Sequence, residues 1–453
     1  MTERLRTVGP ASRRRFEPTH PLLRSPLFWC FAIVALEAIV ILAGLGTGSA
    51  PISGGDGPVF DRLARNLIFH GAFSSSSSPP LLANVIRTPG YPVVLAIIDY
   101  LGFHPVLMVR IVQFGMVAVT ARLVYAIGRE VVDGLTAWVS ALMTATYLPL
   151  LGLASYHLSE VTTCLLTTLV VLLMIRVTRR TTASLVPVAG LGLAIAALAY
   201  VRPEFSPLVA IVAVVLLVKG RGGVRSLQRW IRPAIVVAVF IAAVTPWTIR
   251  NADVTGKLIP FTAGSGVTLL ASADQYAGTI SDAFTSSDFT KYLHQVAAIY
   301  STVPGPPGPK KDVAADAAYR RAADKIFARL SVTTILKGIP RRLVYLWQPA
   351  DFPPNEQRAF IHLLGWIQYL ILLVLVLIGM AASRRTLLRN WQLWVVAVYL
   401  SVLHLIFNVE GRYSVPARPA LLVFAAIGAI ACGRALAPHL GISRTRGGTA
   451  TVS

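Results

Sequence analysis

Apolar runs of about 20 residues, the length a helix needs to cross ~30 Å of hydrocarbon, recur along most of this chain. They lie near Leu27–Gly46, Pro105–Ile127, Leu135–Ala154, Leu158–Ile175, Leu185–Val201, Phe205–Val218, Ile231–Trp247, Ile361–Met380, Trp391–Phe407 and Val415–Cys432. The pattern predicts an all-α, polytopic membrane protein with about ten transmembrane helices. The fifth and sixth runs are short and meet at Arg202-Pro203-Glu204.

The polar residues between the runs divide into two sets when the chain is threaded alternately. Arg13 to Arg15, Arg176 with Arg179 and Arg180, Lys219 through Arg229, Arg384 with Arg385 and Arg389, and Arg434 with Arg444 share one side. Basic residues collect in cytoplasmic loops, so that side is read as the cytoplasm, with both termini. Asp56, His157, Arg202, Glu204, Arg250, Glu410 and Arg412 fall on the opposite, exported side.

Three regions follow: an N-terminal transmembrane module over 1–250 that holds the first exported loop (47–104), an exported region over 251–355 with interfacial helices, and C-terminal transmembrane helices over 356–453. In the first loop, Pro58 starts a helix whose Phe60, Leu63, Ala64, Leu67 and Ile68 form an amphipathic face suited to lying on the membrane. The serines from Ser74 to Ser78 read as a flexible connector ahead of Pro79-Pro80. A second apolar helix, Val93 to Leu101, is too short to span alone. In the larger region, the proline- and glycine-rich stretch from Pro304 to Pro309 separates two helical segments. The later one, Asp312 to Leu330, can pair Asp316 with Arg320 and Arg321 with Asp324, and it reads as a solvated or interfacial helix.

Composition sharpens this picture. Of 453 residues 55% are hydrophobic and 14% charged, and the mean hydropathy of +0.65 is that of a chain whose main solvent is lipid. The formal charge of +22 lies largely in short cytoplasmic turns, where anionic head groups account for it, so nucleic-acid binding is not expected. Cys30, Cys164 and Cys432 fall within apolar runs and have neither disulfide-framework nor metal-ligand spacing. The first apolar run is longer than a signal-peptide core and reads as an uncleaved span.

Charges deep in the runs are few, Glu37, Arg110 and Arg122 being the clearest, whereas a midplane ion transporter should carry more. The chemistry is therefore expected at the exported rim. Asp56, among Gly54, Gly55 and Gly57, has two readings: a helix N-cap, or a general base whose glycine-flanked backbone a substrate can approach. Arg87, Arg202, Arg250 and Arg412 can each hold a phosphate or reach toward lipid head groups. Glu160 and Glu204 can act on substrate or pair with an arginine, and His157 reads as a loop histidine or a ligand-binding group.

The order of Asp56, Arg87-Thr88-Pro89-Gly90-Tyr91-Pro92, Leu158-Ser159-Glu160, Arg202-Pro203-Glu204, Pro246-Trp247-Thr248-Ile249-Arg250-Asn251 and Arg412-Tyr413-Ser414-Val415-Pro416 resembles the GT-C glycosyltransferases, the class of protein O-mannosyltransferases and lipid A aminoarabinose transferases. The resemblance covers most of the chain. It implies a polyprenyl-phosphate-linked sugar donor, a glycan, lipid or protein acceptor, and reaction at the exported face of the cytoplasmic membrane. It places the base at Asp56, a donor-phosphate contact at Arg87, and the motif before the last span at Arg412 and Tyr413. Where relatives carry tyrosine four residues after the acid, Phe60 stands here. The candidate substrate-binding set is Arg87, Tyr91, His157, Glu160, Arg202, Glu204, Arg250, Arg412 and Tyr413.

Transfer from a glycosyl phosphate needs a hydroxyl deprotonated as it attacks the anomeric carbon, and the departing phosphate's charge held. Arginine supplies the second need, and no DxD occurs in the exported loops, so the expectation is inverting transfer without metal or cofactor. Two alternatives use the same residues differently: a lipid-linked sugar flippase or other transporter, with no need of Asp56, and a polysaccharide ligase working from the loop after Asn251.

Overall fold

The apolar runs fold as helices. The computed structural model describes residues 25–45, 56–101, 105–179, 184–220, 226–282, 285–349, 359–437 and 439. The N-terminal part carries α1 (Pro26–Leu45), α2 (Gly57–His70), α3 (Gly90–Tyr100), α4 (Pro105–Val131), α5 (Gly134–Ala145), α6 (Leu148–Leu153), α7 (Glu160–Arg179), α8 (Val186–Val201), α9 (Leu208–Lys219) and α10 (Leu227–Thr255). Then come α11 (Ser265–Ala277), α12 (Ser286–Thr302), α13 (Pro309–Phe327) and α14 (Val332–Leu346). The C-terminal part has α15 (Ala359–Ala382), α16 (Arg384–Arg389), α17 (Gln392–Leu403), a 3-10 segment (Gly411–Ala417) and α18 (Arg418–Leu436). No strand forms among the described residues beyond an isolated bridge between Ser74 and Ala83.

Among the described residues five helices, α4, α7, α10, α15 and α18, are long and apolar enough to cross a membrane, as expected of a multi-pass membrane protein. Shorter apolar helices, among them α5, α8 and α17, occupy other expected spans. Two of the short runs are α8 and α9, and they meet, as the sequence implies, at a 3-10 turn over Pro203–Phe205. Exposed Leu36, Ile241, Leu370, Val374 and Leu377 present apolar surface outward, as a lipid-solvated bundle must.

The third expected span is not one helix. It breaks between α5 and α6, and the break is satisfied from another element: Gln368 of α15 donates through Nε2 to the Thr146 carbonyl (2.6 Å) and accepts from the Leu148 amide at Oε1 (2.8 Å). A freed backbone group in an apolar medium needs such a partner.

Three apolar cores organise the described residues. The largest joins α4, α7, α8, α17 and α18 through residues such as Val117, Val161, Leu191, Val396 and Val423. A second lies beneath the first loop, where Phe60, Leu63 and Ala64 of α2 pack on Tyr91, Leu95, Val109 and Val201. The apolar face of α2 is thus covered by protein, which corrects the expectation that it rests on lipid; an amphipathic stripe fits either surface equally well. The serine run is also not a free connector. Asn66 Nδ2 donates to the carbonyls of Ser74 (2.7 Å) and Ser76 (2.9 Å), and Asn84 Nδ2 donates to Ser75 Oγ (3.0 Å).

The third core joins α11, α12 and α13 through Leu270, Ala273, Tyr292, Ala315 and Tyr319. The stretch from Pro304 to Pro309 separates α12 from α13 as expected, and Asp316 pairs with Arg320 at 3.1 Å. The buried alanines give α13 a packed face, so it is not solvated all round.

Candidate active site

The site forms where the starts of α2 and α7, the end of α8 and the 3-10 segment converge. Asp56 is the residue before α2, Glu160 opens α7, Arg202 ends α8, and Arg412 lies in the 3-10 segment. Arg87 is brought to them by its loop, because Gly90 lies against the last turn of α8. A Cβ there would stand 2.6 Å from the backbone of Tyr200 and Val201, a distance no side chain tolerates. Thr88 Oγ1 donates to the Val201 carbonyl at 3.4 Å beside it.

Asp56 does not cap α2 with its side chain. Its Oδ1 lies 2.5 Å from Arg87 Nη2 and its Oδ2 lies 3.7 Å from Arg412 Nη2. Arg412 also reaches Glu160 Oε1 (3.2 Å) and Glu410 Oε2 (2.6 Å). That same Glu160 oxygen takes Arg202 Nη2 at 2.7 Å, and Arg202 Nη1 reaches Glu204 Oε1 at 3.2 Å. The charges alternate in sign along the chain of contacts from Arg87 through Asp56, Arg412, Glu160 and Arg202 to Glu204. Alternation is what lets them share one small volume, since a buried charge without a partner is strongly unfavourable. Tyr413 closes the cluster. Its hydroxyl donates to Glu410 Oε1 (2.6 Å), its ring lies 5.1 Å from the Arg202 guanidinium, and His404 stacks on it at 5.0 Å.

Burial would raise the pKa of Asp56, but the guanidinium groups of Arg87, Arg412 and Arg202 outweigh it and hold the carboxyl below its usual value. With every group ionised, four carboxylates (Asp56, Glu160, Glu204, Glu410) face three guanidiniums (Arg87, Arg202, Arg412), leaving one negative charge. Arg250 stands next to this cluster without joining it. Its Nη1 donates to the Asn84 carbonyl (2.7 Å), and it stacks on Trp247 at 4.8 Å. Asn84 Oδ1 accepts from the Arg87 amide at 2.9 Å, so Arg250 and Arg87 flank one turn. Arg250 makes no ion pair among the described residues, which leaves its charge uncompensated beside the site.

The structure thus brings together Asp56, Arg87, Glu160, Arg202, Glu204, Arg412 and Tyr413, with Arg250 adjacent. Two expected residues sit apart. Tyr91 is buried behind Phe60, its ring 5.2 Å away, and its hydroxyl donates to Gln113 Oε1 (3.2 Å), so it supports the loop and presents nothing to a substrate. His157 is buried with Nδ1 2.8 Å from Asp61 Oδ1. Its carbonyl backs onto Gly57, where a Cβ would lie 3.3 Å away, so that glycine serves close packing of the chain on itself. Gly54 and Gly55 lie outside the described residues. Phe60, in place of the tyrosine, gives Arg87 an aromatic face at 5.8 Å.

Glu410 belongs to the site although its sequence position marks it only as a rim charge; its spacing, two before Arg412 and three before Tyr413, is the signal the sequence offers. Asp61 carried none. Among the described residues no group of three or more His, Cys, Asp or Glu side chains is placed to hold a metal ion.

These elements and their order make a fold shared with solved oligosaccharyltransferase structures. The chain is similar to the Archaeoglobus fulgidus oligosaccharyltransferase in complex with Zn and sulfate, with a TM-score of 0.53 at 13% identity over 92% of this chain and 50% of that one. It is similar to archaeal AglB from the same organism, in complex with an inhibitory peptide and a dolichol-phosphate, with a TM-score of 0.51 at 12% identity over 94% of this chain and 53% of the other. It therefore spans about half the length of these oligosaccharyltransferases. ArnT from Cupriavidus metallidurans bound to undecaprenyl phosphate matches at a TM-score of 0.41 and 18% identity, over 92% of this chain and 81% of that one. No protein-family model and no curated protein matches the chain.

Proposed function

We propose that this protein moves a sugar from a polyprenyl-phosphate donor to an acceptor hydroxyl at the exported face of the cytoplasmic membrane. The observation that carries the reading is a lone aspartate, Asp56, held between two arginines in a GT-C fold. The AglB structure, which contains a dolichol-phosphate, supports a lipid-linked donor for a chain of the same fold.

In this reading Asp56 accepts the proton of the acceptor hydroxyl as that oxygen attacks the anomeric carbon. The bond from the anomeric carbon to the phosphate oxygen breaks, and polyprenyl phosphate leaves with the electron pair. A single displacement inverts the anomeric centre. Arg87 and Arg412 take the departing phosphate's charge, and Arg250 adds positive potential beside them. Glu160, fully buried, fixes Arg202 and Arg412 and does not touch substrate. Tyr413 and Glu410 orient the Arg412 fork.

Lipid-linked sugar profiling of cells lacking the protein tests the reading. Accumulation of one polyprenyl phosphosugar names the donor and supports transfer. An unchanged lipid-linked pool, or a donor confined to the cytoplasmic leaflet as loss of a flippase would leave it, contradicts it.

A further inference from the structure

We propose that the donor phosphate and Asp56 compete for Arg87, so that donor binding itself releases the base. This rests on the glycosyltransferase reading above and goes beyond it. Arg87 Nη2 and Asp56 Oδ1 are 2.5 Å apart, and a carboxylate engaged in that way is a weaker proton acceptor for an acceptor hydroxyl. The pair therefore holds the base in check.

The three arginines are not equally held. Arg412 has three carboxylate partners and Arg202 has two, and both are largely enclosed. Arg87 has one among the described residues, and its side chain is 38% exposed. Its backbone is pinned by Asn84 and by the contact of Gly90 with α8, so exchange needs only the guanidinium to swing. Every guanidinium of the cluster already holds a carboxylate, so a phosphate gains one of them by taking a carboxylate's place. If the phosphate takes the place of Asp56 on Arg87, the number of ion pairs is unchanged. Asp56 then keeps only Arg412, at 3.7 Å, and can turn to the acceptor. The donor binds before the acceptor is fully activated, and until then the base is weakened toward water as well.

Binding of a polyprenyl monophosphate to the full chain in detergent micelles tests this. Asp56→Asn removes the competing charge and keeps the shape, so it should bind the probe about tenfold more tightly than the native protein, although it is inactive. In an Arg87→Ala background the same change should gain less than about twofold, because the arginine being competed for is gone. Arg87→Gln replaces Arg87→Ala if the latter does not purify as monodisperse protein. Equal or weaker binding by Asp56→Asn, or an equal gain in both backgrounds, overturns the exchange while leaving the phosphate site standing. Failure of the native protein to bind the probe at all overturns the functional reading itself.

Discussion

Glu160 Oε1 lies 2.7 Å from Arg202 Nη2 and 3.2 Å from Arg412 Nη1, so one fully buried carboxylate oxygen sets the position of two arginines far apart in the sequence. Glu160→Gln keeps the shape and removes the charge. Each arginine retains a second carboxylate, Glu204 or Glu410, so the loss is smaller than for an orphaned buried charge. A destabilisation of about 1–3 kcal/mol is expected, with a fall in transfer rate larger than the change in donor affinity. Thermal unfolding in detergent and separate kcat and KM measurements check this, and native kcat in a normally folded Glu160→Gln protein would contradict it.

The cluster was legible in part. A charge in a chain this apolar is costly and therefore informative, so Asp56, Arg87, Glu160, Arg202 and Arg412 stood out singly. Their pairing did not, because which arginine meets which acid depends on the crossing of α3 over α8 and on where the 3-10 segment lands. The break in the third expected span was unreadable for the same reason, since the group that satisfies it, Gln368, belongs to a helix far along the chain. That Asp56 does not cap α2 also needed the fold, in which its carboxylate faces arginines and not the α2 amides.

Acid should weaken the Asp56 pairs. Its carboxyl pKa is held below the ordinary value in the folded protein, so the stability it contributes is present above the unfolded pKa and is lost as pH falls through the folded one. The Asp56–Arg87 pair is partly exposed and contributes at most about 1 kcal/mol. Native protein should therefore melt slightly higher than Asp56→Asn at pH 7, and the gap should close on acidification below the ordinary carboxylate range. A gap that widens in acid would reverse the sign of this assignment.

Arg342 provides a test remote from the site. It is buried, its guanidinium lies 4.3 Å from the Tyr276 ring, and it donates through Nη2 to Ser272 Oγ (3.1 Å) and to the carbonyls of His404 (3.0 Å) and Phe407. It thereby fastens α11 and α14 to the end of α17. Arg342→Ala leaves those carbonyls without a donor, at about 1–3 kcal/mol for each group left unpaired. Limited proteolysis should then cut between α10 and α15 well before it cuts native protein, and an unaltered pattern would count against the fastening role.

The proposed sidedness rests on the asymmetry of basic residues. In a background lacking Cys30, Cys164 and Cys432, cysteines at Ser77 and Ser287 should react with an impermeant reagent from outside, and those at Ser226 and Ser383 should not. Labelling of Ser226→Cys from outside would move the site to the cytoplasmic face.

The most direct measurement is release of polyprenyl phosphate from the native lipid-linked sugar by purified protein, comparing the native chain with Asp56→Asn. A general base contributes about 10²–10⁴-fold, and a fall of that size is predicted in variant protein that remains monodisperse and binds donor. Turnover near the native rate by Asp56→Asn would contradict the assignment of Asp56, and no release of polyprenyl phosphate by the native chain would contradict glycosyl transfer itself.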